Sequence, residues 1–294
     1  MFIDGVFSGG GIKGFALIGA IEEVEKRGFR FKRVAGTSAG SIVAALVIAG
    51  YTSEEIYHLL DELDLQTFMD PRTSFIPFPI AKWLFFYWSL GLYKGNALEK
   101  WLQEKLAAKG LRTFADLPPK SLRVIASDLS NGRLLVLPDD LEKYGIIQES
   151  FPIAKAIRMS CSLPFFFEPV KLRTHSETNI IVDGGVLSNF PMWLFDKEHV
   201  QKVRPVLGIK LSRNTYERPK NKISNAFHLF EALFETMKDA HDARYISRKH
   251  EKNIIFIPTE RFMATEFTLT EEDKQALLSL GRKSAEQFLK KWSY

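Results

Sequence analysis

The chain holds a single cysteine, Cys161, in 294 residues. That excludes a disulfide framework and a cysteine-rich metal site, and it suits a reducing compartment. No long block of lysine or arginine occurs. A formal charge of +5 and a pI near 9.1 are too modest for a nucleic-acid binder, although they suit an anionic membrane surface. There is no Asp-x-Asp-x-Asp calcium loop and no Gly-Lys-Ser/Thr of a Walker loop. Neither a metal nor a cofactor is therefore expected. The start, Met1-Phe2-Ile3-Asp4, lacks the basic segment and apolar run of a signal peptide. A cytoplasmic protein is expected, touching at most the inner membrane face. Apolar side chains are plentiful: 46% of residues are hydrophobic, with 24 phenylalanines, enough for a sizeable core. No repeat, low-complexity tract or linker interrupts 1–294, so one domain is expected.

The stretch that organises the rest is Gly36-Thr37-Ser38-Ala39-Gly40. Before it, Phe31 to Ala35 is strand-like; after it, Ser41 to Ala49 reads as a buried helix stopped by Gly50. A serine on a tight strand-to-helix turn is the context of a nucleophile elbow. The glycines let the backbone turn, and the helix N-terminus behind the hydroxyl favours developing negative charge. The pentapeptide alone is short enough to arise by chance, and a plain βα turn competes with the catalytic reading.

A first βα unit precedes it. Ile3 to Phe7 is a strand, and Phe15, Leu17, Ile18, Ile21 and Val24 form the apolar stripe of a helix ending at Gly28. Strand, helix, strand, helix implies a parallel sheet with covering helices. Between the first strand and helix lies Ser8-Gly9-Gly10-Gly11-Ile12-Lys13-Gly14. Gly9-x-Gly11-x-x-Gly14 fits a dinucleotide fingerprint, yet the acidic residue due after the next strand is missing and Arg33 is a poor substitute partner for phosphate. The alternative is an oxyanion loop, in which N–H groups of Gly9 to Gly11 face a carbonyl oxygen as it becomes negative. Only that reading needs a nucleophile on the neighbouring strand. Lys13 opposes the helix dipole by about 0.3–1 kcal/mol. Contact with substrate phosphate would explain it, and so would a solvated surface position.

Further on, Thr52 or Ser53 caps a helix. Phe75 to Tyr93 is 19 residues of mostly aromatic and aliphatic side chains with one charge, Lys82. Pro77, Pro79 and Gly91 interrupt it as a membrane span, and its Trp and Tyr favour a bilayer interface. A lid or interfacial segment competes with a core helix and its loop. Asn96 to Ala108 is a helix; Leu122–Asp128 and Arg133–Leu137 form a hairpin about Asn131-Gly132. A helix runs from Ile153 to Cys161. Ile180-Ile181-Val182 is a buried strand that presents Asp183-Gly184-Gly185 at its end, where active-site carboxylates of parallel sheets collect. Val206–Leu211 and Ile254–Pro258 are strands. Phe227 to Tyr245 and Thr270 to Trp292 are helices, the former read as core.

A serine nucleophile needs a base. In the order Ser, Asp, His, a triad could be assembled from Ser38, Asp183 and one of the four later histidines, His199, His228, His241 or His250. An elbow after only one βα unit comes too early for the usual α/β-hydrolase sheet. The other solution is a dyad in which Asp183 takes the Ser38 proton directly.

Ser8-Gly-Gly-Gly-Ile-Lys-Gly14, Gly36-Thr-Ser-Ala-Gly40 and Asp183-Gly-Gly185, in this order, resemble the patatin-like phospholipase family. Asp128-Leu-Ser-Asn-Gly132, Arg158-Met-Ser-Cys-Ser-Leu-Pro164 and Asn189-Phe190-Pro191 are also similar, with Met159 standing where a small residue is expected. The resemblance covers about residues 1 to 210; the last third carries no motif. It implies a three-layer α/β/α fold with a mainly parallel central sheet. It implies a lipid acyl hydrolase without a catalytic histidine, with Ser38 as nucleophile and Asp183 as base. The oxyanion hole would be drawn from N–H groups of Gly9, Gly10, Gly11, Ile12 and Ala39, and Lys13 remains a candidate for substrate phosphate. The implied partner is an acyl lipid, with peripheral membrane contact through Phe75–Tyr93.

Overall fold

A computed structural model of the chain describes residues 1–62, 70, 88–174, 177–196, 203–212, 223–246, 251–259 and 269–293. Its strands are β1 (Phe2–Phe7), β2 (Arg30–Thr37), β3 (Gly91–Tyr93), β4 (Leu122–Asp128), β5 (Arg133–Leu137), β6 (Phe165–Phe167), β7 (Val170–Arg173), β8 (Thr178–Asp183), β9 (Val206–Ser212) and β10 (Ile254–Pro258). The helices are α1 (Gly14–Lys26), α2 (Ala39–Ile48), α3 (Ser53–Asp61), α4 (Asn96–Ala108), α5 (Ile153–Ser160), α6 (Ala226–Tyr245) and α7 (Glu271–Leu289).

The main sheet runs β10-β9-β1-β2-β4-β8-β7, with β5 on β4 off this path. From β10 to β4 every neighbouring pair is parallel. Strand alternation splits the core between the two faces. Ile3 and Phe7 of β1, Val34 of β2, and Leu207 and Ile209 of β9 pack into one large cluster with α1, α2, α5 and α7. Val6, Ala35 and Val206 point the other way, against Phe190, Met192, Phe195 and Ile246 at the end of α6. The central sheet is thus flanked by helices on both faces, an α/β/α arrangement. The closing helix, which carried no motif, packs on α1 through glycine: a Cβ on Gly281 would lie 2.0 Å from the Ala16 carbonyl oxygen.

Thr52 is the N-cap of α3, with Glu55 completing a capping box. The Asp128–Gly132 stretch serves the hairpin: Asn131 donates from its backbone and side chain to Asp128 at 3.1 and 2.8 Å. Arg33 is committed to structure rather than to a nucleotide, since its Nε donates at 3.1 Å to the fully buried Asp4, which also accepts from Arg204 at 3.1 Å. Of the aromatic stretch expected at 75–93, residues 75–87 lie outside the described residues; Gly91–Tyr93 form β3, paired with β6.

The strand that ends at Asp183 does not run with its neighbours. β8 is antiparallel to β4, with Asp183 opposite Ala126. β5 pairs along 124–128 of β4, so β2 and β8 share the other edge: β2 climbs it as far as Thr37 opposite Ile125, and β8 descends it to Asp183. Two strand ends therefore meet head to head. Parallel topology would have kept them apart.

Candidate active site

Ser38 stands at the meeting point, between the last residue of β2 and the first of α2. Its backbone is strained, at φ 53° and ψ −129°, a conformation that costs a non-glycine residue roughly 1–3 kcal/mol. Close packing imposes the turn: a Cβ on Gly40 would lie 2.4 Å from the Phe7 carbonyl oxygen, so α2 presses directly on the end of β1. Side chains then hold it. The Ser38 N–H donates to Ser160 Oγ at 2.8 Å, and Ser160 Oγ donates on to the Ile125 carbonyl at 2.6 Å. Ser41 Oγ donates at 2.6 Å to the Ser38 carbonyl. Ser160 belongs to the Arg158–Pro164 stretch of the resemblance, but nothing in the sequence by itself marks it as a partner of Ser38.

Asp183, 3% exposed, faces Ser38 across the junction. Gly185 N–H donates to its Oδ1 at 2.7 Å. Burial pushes the carboxyl up to about 6, against the opposing influences of the Ser38 side chain, the Gly185 N–H and the Lys238 ammonium; Glu235 adds to the rise. A carboxyl poised there is largely ionised at neutral pH yet still basic enough to accept a proton.

The glycine loop lies beside Ser38 and Asp183, with Gly10 and Gly11 lining the cleft. Gly9 is committed elsewhere, its N–H donating at 3.2 Å to the Asn189 carbonyl, so the expectation that it serves an oxyanion fails. Among the described residues no hydrogen bond engages the N–H of Gly10, Gly11, Ile12 or Ala39. Of these, Gly10 and Gly11 reach the cleft surface. Lys13 is 4% exposed and does not line the cleft, which overturns a solvated surface position and gives no support to a phosphate contact. His58, His228 and His241 do not line it either; His175, His199 and His250 lie outside the described residues.

The cleft, a cavity of about 50 Å³, is roofed by α6, the helix expected to be core. Phe230, Glu231, Phe234, Glu235 and Lys238 form that roof, with Leu163 and Asn189 at the sides. Lys238 donates at 2.7 Å to Glu235. Nearby, Asp242 accepts from Lys210 of β9 and, at 3.3 Å, from Asn189 Nδ2. None of these last-third residues stands in a recognisable pattern, because their roles come from a helix lying over another part of the chain. Arg158, 3% exposed, ties α5 to the ends of β3 and β6 by donating to the Lys94 carbonyl and to Glu168 O at 2.8 Å, and it also donates to Ser162 Oγ.

The sequence profile of the patatin-like phospholipase family matches residues 5–196. The chain is 58% identical over its whole length, and over the whole of the relative, to the uncharacterized protein YqhO of Bacillus subtilis. It is 27% identical to the cUMP-AMP-activated phospholipase of Escherichia coli over 62% of this chain and 54% of that one. Among solved structures, VipD from Legionella pneumophila superposes with a TM-score of 0.58 at 18% identity, covering 99% of this chain and 67% of that one. The type III effector ExoU gives 0.53 at 17% identity, over 98% and 52%. At those identities the structures bear on the fold alone, and they agree with the sheet and helix layers described above. The chain belongs to the patatin-like phospholipase family.

Proposed function

We propose that the chain hydrolyses acyl-ester lipids, whether phospholipid, lysophospholipid or a related acyl lipid, through a Ser38–Asp183 dyad. The observation that carries this reading is the strained Ser38 turn set against a buried carboxyl titrating near 6. Asp183 takes the Oγ proton as Oγ attacks the ester carbon. The oxyanion accepts N–H groups of Gly10 and Gly11, with Ala39 after the nucleophile as a further donor. Collapse expels the alcohol, which takes the proton from Asp183, and leaves an acyl-Ser38 ester. Water then gives a proton to Asp183 and attacks the acyl carbon; Ser38 leaves, recovers its proton, and the fatty acid departs. The phospholipase named among the relatives supports a lipid over a soluble ester. Peripheral membrane contact near Phe75–Tyr93 belongs to the same reading and is supported by Trp88, 76% exposed.

Intact-mass labelling with a fluorophosphonate tests the dyad. One adduct is expected on the wild type, none on Ser38→Ala and a strongly slowed one on Asp183→Asn. Rapid labelling of Asp183→Asn that disappears with a histidine replacement would point to a triad. No labelling, even with detergent present, would make the protein a lipid binder with an idle site.

A further inference from the structure

Helix α6 is amphipathic in the wrong sense for a core helix. Its charged side chains Glu235, Lys238 and Asp242 are only 6%, 8% and 4% exposed, while Leu229 and Leu233 are 53% and 61% exposed. Thr236 and Ala240, also exposed, continue the outward stripe at helical spacing, so that face carries no charge along four positions. Buried charge and displayed leucine on one helix call for an explanation in a way that a scattered surface leucine does not.

The stripe has neighbours of the same kind. Phe230 meets the ring of Phe165 at 5.1 Å between centroids, and Phe165 is itself 48% exposed. Through the β3–β6 pairing Gly91 lies opposite Phe165, which places Leu90, 45% exposed, beside it. Phe165 and Leu90 both hold left-handed backbones, at φ 65° and 60°, a conformation that bulky side chains disfavour. Backbone strain and apolar exposure thus coincide around the roof of the catalytic cleft, and strain of this kind persists where function maintains it.

We infer that this face, built from Leu229 and Leu233 of α6 with Phe165 and Leu90, docks onto a lipid surface. The inference rests on the acyl-lipid reading of the site, since the face rims the roof through which such a substrate arrives. A second copy of the chain seated there would cover that approach. Entry also requires movement, because a cavity of about 50 Å³ is far below the roughly 300–1,000 Å³ of ligand pockets. Asp242 ties the second half of α6 to Lys210 and Asn189, whereas Phe230 in the first half meets an aromatic ring. Docking therefore draws the first half outward and opens the cleft, with the leucine stripe moving from water into the acyl boundary.

The test compares wild type, Ser38→Ala and the double variant Leu229→Ser/Leu233→Ser on phosphatidylcholine vesicles by co-sedimentation. Wild type and Ser38→Ala should bind alike; the double variant should bind roughly 30-fold more weakly, the effect of withdrawing two leucines from an interface. Its turnover of vesicle lipid should fall in step, while its melting temperature and its hydrolysis of a soluble short-chain ester stay at wild-type values. Wild-type vesicle binding and turnover in the double variant would overturn the inference, as would a wild-type dimer on gel filtration that the double variant abolishes. Binding without hydrolysis of any acyl lipid would sink the enzymatic reading and leave the docking face standing. Hydrolysis of lipid in detergent without vesicle binding would do the reverse.

Discussion

Replacing Asp183 by Asn should abolish turnover and make the protein more stable. The carboxyl titrates near 6 in the fold, against 3.8 for an unperturbed group, and burial is the main cause. Between those two pH values the folded state holds a proton that the unfolded chain has lost. Stability therefore declines as pH rises through this window, and at neutral pH the fold carries a penalty of about 3 kcal/mol for keeping the group ionised. An amide of nearly the same shape still accepts the Gly185 N–H and needs no charge. The variant should consequently gain up to about 3 kcal/mol at pH 8, or roughly 5 °C in melting temperature for a chain of this size. At pH 4 the difference should disappear, since wild-type Asp183 is then protonated in the fold. Urea unfolding followed by tryptophan fluorescence at the two pH values measures it, and the variant-minus-wild-type difference cancels the other titrating groups. A variant no more stable than wild type at pH 8, or one with the same advantage at pH 4, would refute the reasoning.

Two further outcomes follow from the same surroundings. Ser160→Ala removes the acceptor of the Ser38 N–H and the donor to Ile125 O; fluorophosphonate labelling should slow about 10- to 100-fold, with about 1–3 kcal/mol lost from stability. Ser160→Thr should restore the labelling rate, and an unchanged rate in Ser160→Ala would show that the elbow keeps its shape unaided. Lys238→Met takes away the cation that favours ionised Asp183 and leaves Glu235 without its 2.7 Å donor. The rising limb of kcat/KM, expected near pH 6 in the wild type if Asp183 is the base, should move to higher pH, with activity at pH 6 falling several-fold relative to pH 8. A limb that stayed in place would mean that the ammonium is screened from the dyad.

The elbow, the glycine loop and Asp183-Gly184-Gly185 were legible in the chain because each has a local physical cause: turns that need glycine, strands that end in a polar residue, helices with an apolar stripe. The same locality misled in places. Gly9 resembles an oxyanion donor until Asn189, 180 positions on, takes its N–H. Lys13 reads as a surface or substrate-facing cation, whereas the packed loop buries it. The amphipathic pattern of Phe227 to Tyr245 was visible, but periodicity reports which residues share a face, not what lies opposite.

By itself, then, the sequence determined the elements, the alternation that divides the core between two sheet faces, and the identity of the reacting pair as candidates. Tertiary structure decided that β8 runs against β4, so that Ser38 and Asp183 meet along one strand edge, and that Ser160 holds the N–H of Ser38. It also decided that α6 roofs the site with its charges inward and its leucines outward. Strand direction and helix placement are set by the sum of long-range packing contacts. No residue carries that information in its near neighbours, whereas a turn or a stripe is written within a few positions of itself.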